Sequence, residues 1–302
     1  MNAIRESTRR TPLTARRNRV SRVISACEAR DISVWTVTSR QVIRLIDADS
    51  YQLVCPDDQI GVFEAATAPG WEITGESRFS SNCQLDMIRG KVSGANTNRV
   101  HWLFQQFIKI NAIAESDLDD GELVVIWDAD TVPLRKIDFS DGPTGCIRYY
   151  HGKEHHQPYF DTIEALCDLE RLTNLSFIAQ CLPVRAGWVR ELLQDIEERL
   201  SQSYVEAVLS RLPGKSGSEF SEYETIGAWV LAHHRDEMVF RKKNRWLRSG
   251  SSFFGSRTFG PMAMILFRLL AIRYDFVAIE NWRRPFDMKR LSKAAFRIFG
   301  RG

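Results

Sequence analysis

Two aspartates separated by one alanine, Asp128 and Asp130, stand directly behind an apolar run in LVVIWDADTVPL (123–134). Residues two apart on an extended strand point the same way, so both carboxylates leave the end of the run together. Side by side they repel each other unless a cation lies between them. The chemistry that suits such a pair is a divalent metal that also holds a diphosphate, because Mg²⁺-like ions combine one or two protein carboxylates with phosphate oxygens and water. Asp130 is the first candidate for direct ligation. A bland reading, an Asp-rich turn capping the next segment, competes with this one.

A second acidic pair, Glu222 and Glu224, opens SEYETIG (221–227), where a Gly/Ser-rich loop from residue 214 passes into a helical pattern. A carboxylate at the mouth of a flexible loop is placed to take a proton from a hydroxyl. The same residues also fit an S-x-x-E capping box, with Ser221 as cap and Glu224 three residues on. His155-His156 falls in a polar loop and reads as solvated.

These groups need elements that bring them together. Five consecutive apolar residues, 123–127, read as a strand buried on both faces, the habit of a parallel sheet covered by helices. Its carboxyl end is where open α/β sheets bind ligands. ISVWTVTS (32–39), rich in β-branched and aromatic residues, reads as the first strand. SYQLVCP (50–56), WEITGES (71–77), TGCIRYY (144–150) and 276–279 read as further strands. Helical spacing marks 98–113, where His101, Gln105 and Lys109 form an i, i+4, i+8 column. It recurs at 158–172, 189–203 and in the second half of 214–233. Strands alternating with helices predict an α/β fold, a Rossmann-type, mostly parallel sheet flanked by helices in a single domain. Residues 1–30 read as a mobile basic arm, 31–255 as the catalytic domain and 256–302 as a C-terminal extension.

The chain of 302 residues is 44% hydrophobic and 26% charged, ordinary for a folded globular protein. Its net charge of +3 hides an asymmetry. Residues 1–24 carry seven Arg against one Glu, and 281–302 carry seven Arg or Lys against one Asp; between them lie 27 bases and 36 acids. An acidic body with basic ends suggests an enzyme whose termini touch an anionic surface. The interleaved bases and apolar residues of 281–302 read as a basic amphipathic segment for a membrane surface, or as a final helix packed on the domain. No nucleic-acid reader motif is present, so no nucleic-acid partner is expected. The six cysteines have no metal-type spacing and read as reduced thiols of a cytoplasmic protein. The apolar patch 261–272 is too short to span a bilayer, which needs about 20 residues.

ISVWTVTS, WLFQQFIKI, WDADTVPLRKI and SEYETIGAW occur in the order seen in a group of bacterial glycosyltransferase-like proteins with the GT-A nucleotide-sugar fold, which the chain resembles over roughly residues 30 to 250. The resemblance implies a nucleotide-sugar-dependent transferase that uses Mn²⁺ or Mg²⁺ and passes a sugar to a hydroxyl of a glycan or lipid-linked acceptor. It implies a nucleotide near Thr36 and Thr38, although Val37-Thr38-Ser39-Arg40 stands where family members carry a Pro-Thr turn and an acid. Asp128 would touch the ribose or meet the metal through water, and Asp130 would ligate the metal directly. Gln105 and Lys109 would reach donor hydroxyls or phosphate, with Arg148 and Lys153 as weaker phosphate candidates. Glu222, then Glu224, would act on the acceptor, and His233 or His234 would add a late metal ligand. Attachment to the inner face of a membrane would suit a lipid-linked acceptor.

Two other classes compete. The D-x-D after an apolar strand also suits a haloacid-dehalogenase-like phosphohydrolase with Asp128 as nucleophile. That fold places the motif early in its chain and needs a downstream acidic pair for Mg²⁺, whereas here the motif is at mid-chain and no adjacent Asp-Asp pair follows Asp130. The other is a catalytically inactive membrane-surface binding protein on the same sheet.

Overall fold

The computed structural model describes residues 19–142, 144–248, 250, 259 and 261–280. In chain order its strands are β1 (Val20–Ala26), β2 (Ala48–Cys55), β3 (Trp71–Gly75), β4 (Leu123–Trp127), β5 (Thr131–Pro133), β6 (Ile147–Tyr149), β7 (Cys181–Arg185), β8 (Met238–Phe240), β9 (Trp246–Leu247) and β10 (Phe276–Ala278). The helices are α1 (Ile32–Leu45), α2 (Ile60–Ala66), α3 (Leu85–Lys91), α4 (Val100–Ala114), α5 (Gln157–Cys167), α6 (Ala186–Leu200), α7 (Tyr204–Ser210), α8 (Glu222–His233) and α9 (Pro261–Leu270). The central sheet runs β3-β2-β1-β4-β7, parallel except for β7. It is a mostly parallel sheet flanked by helices in a single domain, as the alternation of strands and helices predicts.

The order carries a consequence. β1, β2 and β3 step outward on one side of β1, and β4 returns to the other side. Between β1 and β4 the winding reverses, which is where open α/β sheets place their ligand crevice, beyond the strands' carboxyl ends. Glu28, two residues past the end of β1, and Asp128, directly after β4, therefore lie at that end of the sheet. All five residues of β4 are buried, Val124 to Trp127 completely, as expected for a strand covered on both faces.

Three expectations are corrected. ISVWTVTS is not a strand; it forms the start of α1. Val34, Trp35, Thr38, Ser39 and Val42 are buried, a helical rather than an alternating period. The local β preference of Val, Thr and Trp yields to burial of one helical face, which packs on β5. The true first strand is β1, inside the segment expected to be a mobile arm. Its Arg22, which made the segment look like a solvated arm, reaches out to Ser50 Oγ and to Asp117 while Val23 and Ile24 fill the core. Likewise 261–280 is not an appendage, because β10 sits between β5 and β9. The readings made of residues 1–18 and 281–302 lie outside the described residues.

Candidate active site

The turn after β4 is held on every side. Asp128 donates its N–H to the Gln180 carbonyl (3.0 Å), Thr131 N–H returns to the Asp128 carbonyl (3.0 Å), and Ile279 N–H reaches the Asp130 carbonyl (2.8 Å). The Trp127 indole donates to the Thr131 carbonyl (2.7 Å), and Ser25 Oγ donates to the Trp127 carbonyl (2.7 Å). Gln180 adopts a left-handed backbone (φ 62°), which a residue with a Cβ adopts at a cost. Its carbonyl holds Asp128, and its side-chain amide donates to Glu280 Oε1 (3.1 Å). Strain of this kind persists where the surroundings fix it from both ends, commonly at functional sites.

Into this frame α4 delivers Lys109 and α8 delivers its first turn. Lys109 Nζ donates to Asp128 Oδ1 (2.6 Å) and to Glu222 Oε1 (2.9 Å). The Tyr223 hydroxyl donates to the same Asp128 oxygen (2.6 Å), and Lys109 lies 5.0 Å from the centre of that ring. Glu222 N–H donates to Gln106 Oε1 (3.0 Å), tying the start of α8 to α4. Two helices thus clamp Asp128, and Asp130 is left with only Thr131 Oγ1 at 3.4 Å.

The electrostatics follow from this asymmetry. Burial alone would lower the Lys109 ammonium, but Asp128 and Glu222 outweigh it and hold the group above an ordinary lysine. Burial pushes the Asp130 carboxyl well above the usual carboxylate range, and the charges of Asp128, Glu280 and Asp31 push the same way. Lys109 offsets only part of that. Tyr223 is raised by burial and by Asp128, so it remains a hydrogen-bond donor.

Among the described residues no group of three or more His, Cys, Asp or Glu side chains is arranged to hold a metal ion. Two carboxylates with a surplus of negative charge nevertheless fit a hydrated hard cation completed by phosphate oxygens, which needs no closed protein cage. Asp130 and Asp128 are the residues that would hold it.

The other sequence candidates divide. Gln105 reaches the cleft and donates to Glu28 Oε1 (3.1 Å). Glu224 is buried and turns away; its carboxylate accepts Phe177 N–H (3.2 Å), and its own N–H is capped by Ser221 Oγ (3.3 Å). Thr36 Oγ1 donates to the Ile32 carbonyl (2.9 Å), and Thr38 is wholly buried in the face α1 turns inward. His233, eleven residues after Glu222, is about 16 Å away along α8. It stacks on Trp229 and bonds the Trp229 carbonyl (2.9 Å), and His234 pairs with Glu191 (3.0 Å). Neither is brought to Asp130. Arg148 is tied to Asp141. His156 is half-buried and bonds the Ser218 carbonyl (2.6 Å).

The Gly/Ser loop is anchored rather than flexible. The buried Glu219 carboxylate accepts N–H groups from Gly214, Lys215 and Ser216 and the Asn96 amide, at 2.6–2.9 Å. Gly227 is required by packing, since a Cβ there would lie 2.0 Å from the Phe177 ring.

Sequence reasoning passed over Tyr223, Gln106, Gln180 and Glu280. The signal for Glu280 was present: it comes after a short, fully buried apolar strand and one further buried residue, Ile279, much as Asp128 comes after β4.

No family model and no curated protein matches the chain. Among solved structures it is similar to the galactosyltransferase LgtC in complex with donor and acceptor sugar analogues, at 12% identity, covering 92% of this chain and 94% of that one, TM-score 0.44. It is also similar to apo mouse xyloside xylosyltransferase 1, at 9% identity over 88% and 99% of the two chains, TM-score 0.47. A third is the glycosyltransferase GlyE of Streptococcus pneumoniae, at 12% identity over 92% and 60%, TM-score 0.38.

Proposed function

We propose that this chain is a glycosyltransferase that moves a sugar from a nucleoside-diphosphate donor to a hydroxyl acceptor. The observation that carries the reading is the convergence of Asp128, Asp130, Lys109, Glu222 and Tyr223 in the crevice between β1 and β4. That crevice is where a doubly wound sheet binds a nucleotide. Asp128 and Asp130 would hold Mg²⁺ or Mn²⁺ against the diphosphate, and the ion would stabilise the charge on the departing nucleotide as a Lewis acid. Lys109 and Tyr223 fix the Asp128 carboxylate in one orientation. Gln105, one turn before Lys109 on the same face of α4, would face the donor. Glu222, whose carboxylate lies in the cleft, is the group to take the acceptor's proton. Glu224 serves the fold by holding Phe177. That class of activity is also the one named for the solved structures above.

The phosphohydrolase alternative asks Asp128 to attack a phosphorus. Its Oδ1 already accepts two hydrogen bonds of 2.6 Å, which blunts it as a nucleophile.

The test is a thermal-shift screen against UDP, GDP, CDP and ADP, each with and without Mn²⁺. A ligand at a hundred times its dissociation constant adds about 2.7 kcal/mol, several degrees for a domain of this size. A shift for one diphosphate that requires Mn²⁺ is the expected result and names the nucleotide. No shift with any of them would overturn the reading.

A further inference from the structure

α9 carries an unusual surface. Met264, Ile265 and Leu269, with Ile272 just beyond its end, are 39%, 50%, 42% and 73% exposed. Elsewhere among the described residues only Val62, Leu172 and Val239 are comparably open, and they are scattered. Positions 264, 265, 268, 269 and 272 recur at helical spacing and so form one continuous face. The opposite face is buried through Phe267 and Leu270, and Phe267 packs with Val34, Val132, Val277 and Ile279. The helix is therefore docked on the domain on one side and apolar on the other.

Charge indicates what covers the open face. Arg268 lies within it, Arg273 follows it, and residues 281–302 add seven Arg or Lys against one Asp. Aliphatic side chains flanked by a surplus of cations match acyl chains beneath anionic headgroups. No helix among the described residues is long and apolar enough to cross a membrane, so such contact would be made along the surface.

We propose that the outer face of α9 lies in an anionic membrane surface, with Met264, Ile265, Leu269 and Ile272 entering the acyl boundary and Arg268 at the headgroups. Through Phe267 the inner face rests on β5 and β10, the strands that adjoin Asp130 and Glu280. Lipid contact at α9 therefore holds the cleft beside the bilayer, where a lipid-linked acceptor presents its hydroxyl. That consequence for the acceptor rests on the transferase reading; the membrane contact does not.

The experiment is co-sedimentation of the full chain, free of nucleotide and metal, with vesicles of phosphatidylcholine alone or mixed with phosphatidylglycerol. The full chain is expected to bind the mixed vesicles and to release with salt. The double variant I265D/L269D should bind them at least about fivefold less, with an unchanged melting temperature because both positions are exposed. R268E should lose part of the binding. D130N should bind vesicles as the parent does, which separates this result from any failure of the transferase reading. Undiminished binding by I265D/L269D would overturn the proposal, as would parent protein that binds neither vesicle. So would a dimer in sedimentation velocity that the double variant dissolves, because the face would then belong to a second copy.

Discussion

Lys109 and Asp128, nineteen residues apart in sequence, meet across the crevice at 2.6 Å, and the same ammonium reaches Glu222 at 2.9 Å. One cation thus joins the carboxylate after β4 to the carboxylate that begins α8. Removing it leaves two largely buried acids without compensation, since Asp128 and Glu222 are 19% and 6% exposed. Lys109→Met should cost about 3–5 kcal/mol, read from urea unfolding, and Asp128→Asn in the same chain should restore part of it. The folded Lys109 is held above its unfolded value of about 10.4. Its contribution is therefore intact through neutral pH and is lost only as pH rises through the higher folded value. A loss of equal size from pH 6 to 9 is the expected result.

Asp130 behaves in the opposite sense. Its folded carboxyl is raised, so the native state holds a proton that the unfolded chain gives up near pH 4. Without metal, stability from this group falls as pH climbs from there toward the folded value. Asp130→Asn should therefore melt higher than the parent at pH 7 without metal, by on the order of 1 kcal/mol, and lose any stabilisation by Mn²⁺. A lower melting point would show that its ionised form is already compensated.

Glu222 and Glu224 are two residues apart and differ in role. Glu222→Gln keeps a hydrogen-bonding group beside Lys109, so donor binding should persist while turnover drops about 100-fold or more. Glu224→Ala strips the acceptor from Phe177 N–H and should cost about 1–3 kcal/mol of stability. Loss of donor binding in Glu222→Gln would remove Glu222 from the role of base.

Much of this site could be read from residue types and spacing. Asp128 and Asp130 follow a strand buried on both faces, Gln105 and Lys109 share a helix face, and Ser221 caps α8, all as the patterns predict. What escaped was set by tertiary context. The β-branched stretch 32–39 became helix because its buried face is helical, and β1 was hidden because Arg22 sits in its middle. Tyr223 lies between two acids, and nothing local shows that α8 turns its hydroxyl onto Asp128. Gln180 gives no sign in sequence of a left-handed backbone. The distance between Glu222 and His233 follows from helix rise alone, and it separates a residue that sequence adjacency had drawn toward the metal.

Gly227 tests the packing behind α8. Gly227→Ala would drive a methyl into the Phe177 ring, and moving that ring also strains the Glu224 contact on Phe177 N–H. An overpacking cost of about 1–3 kcal/mol is expected, visible as a lower denaturation midpoint. An unchanged midpoint would mean that the ring yields freely.

The central claim is that Asp128 and Asp130 hold a divalent cation together with a nucleoside diphosphate. Electron paramagnetic resonance of Mn²⁺ reads it directly, because the sharp signal of the free ion fades on binding. The account predicts that protein plus the matching nucleoside diphosphate depletes free Mn²⁺ well beyond what either does alone, and that Asp130→Asn abolishes the effect. Depletion that survives in Asp130→Asn, or that never occurs with any nucleotide, would contradict it.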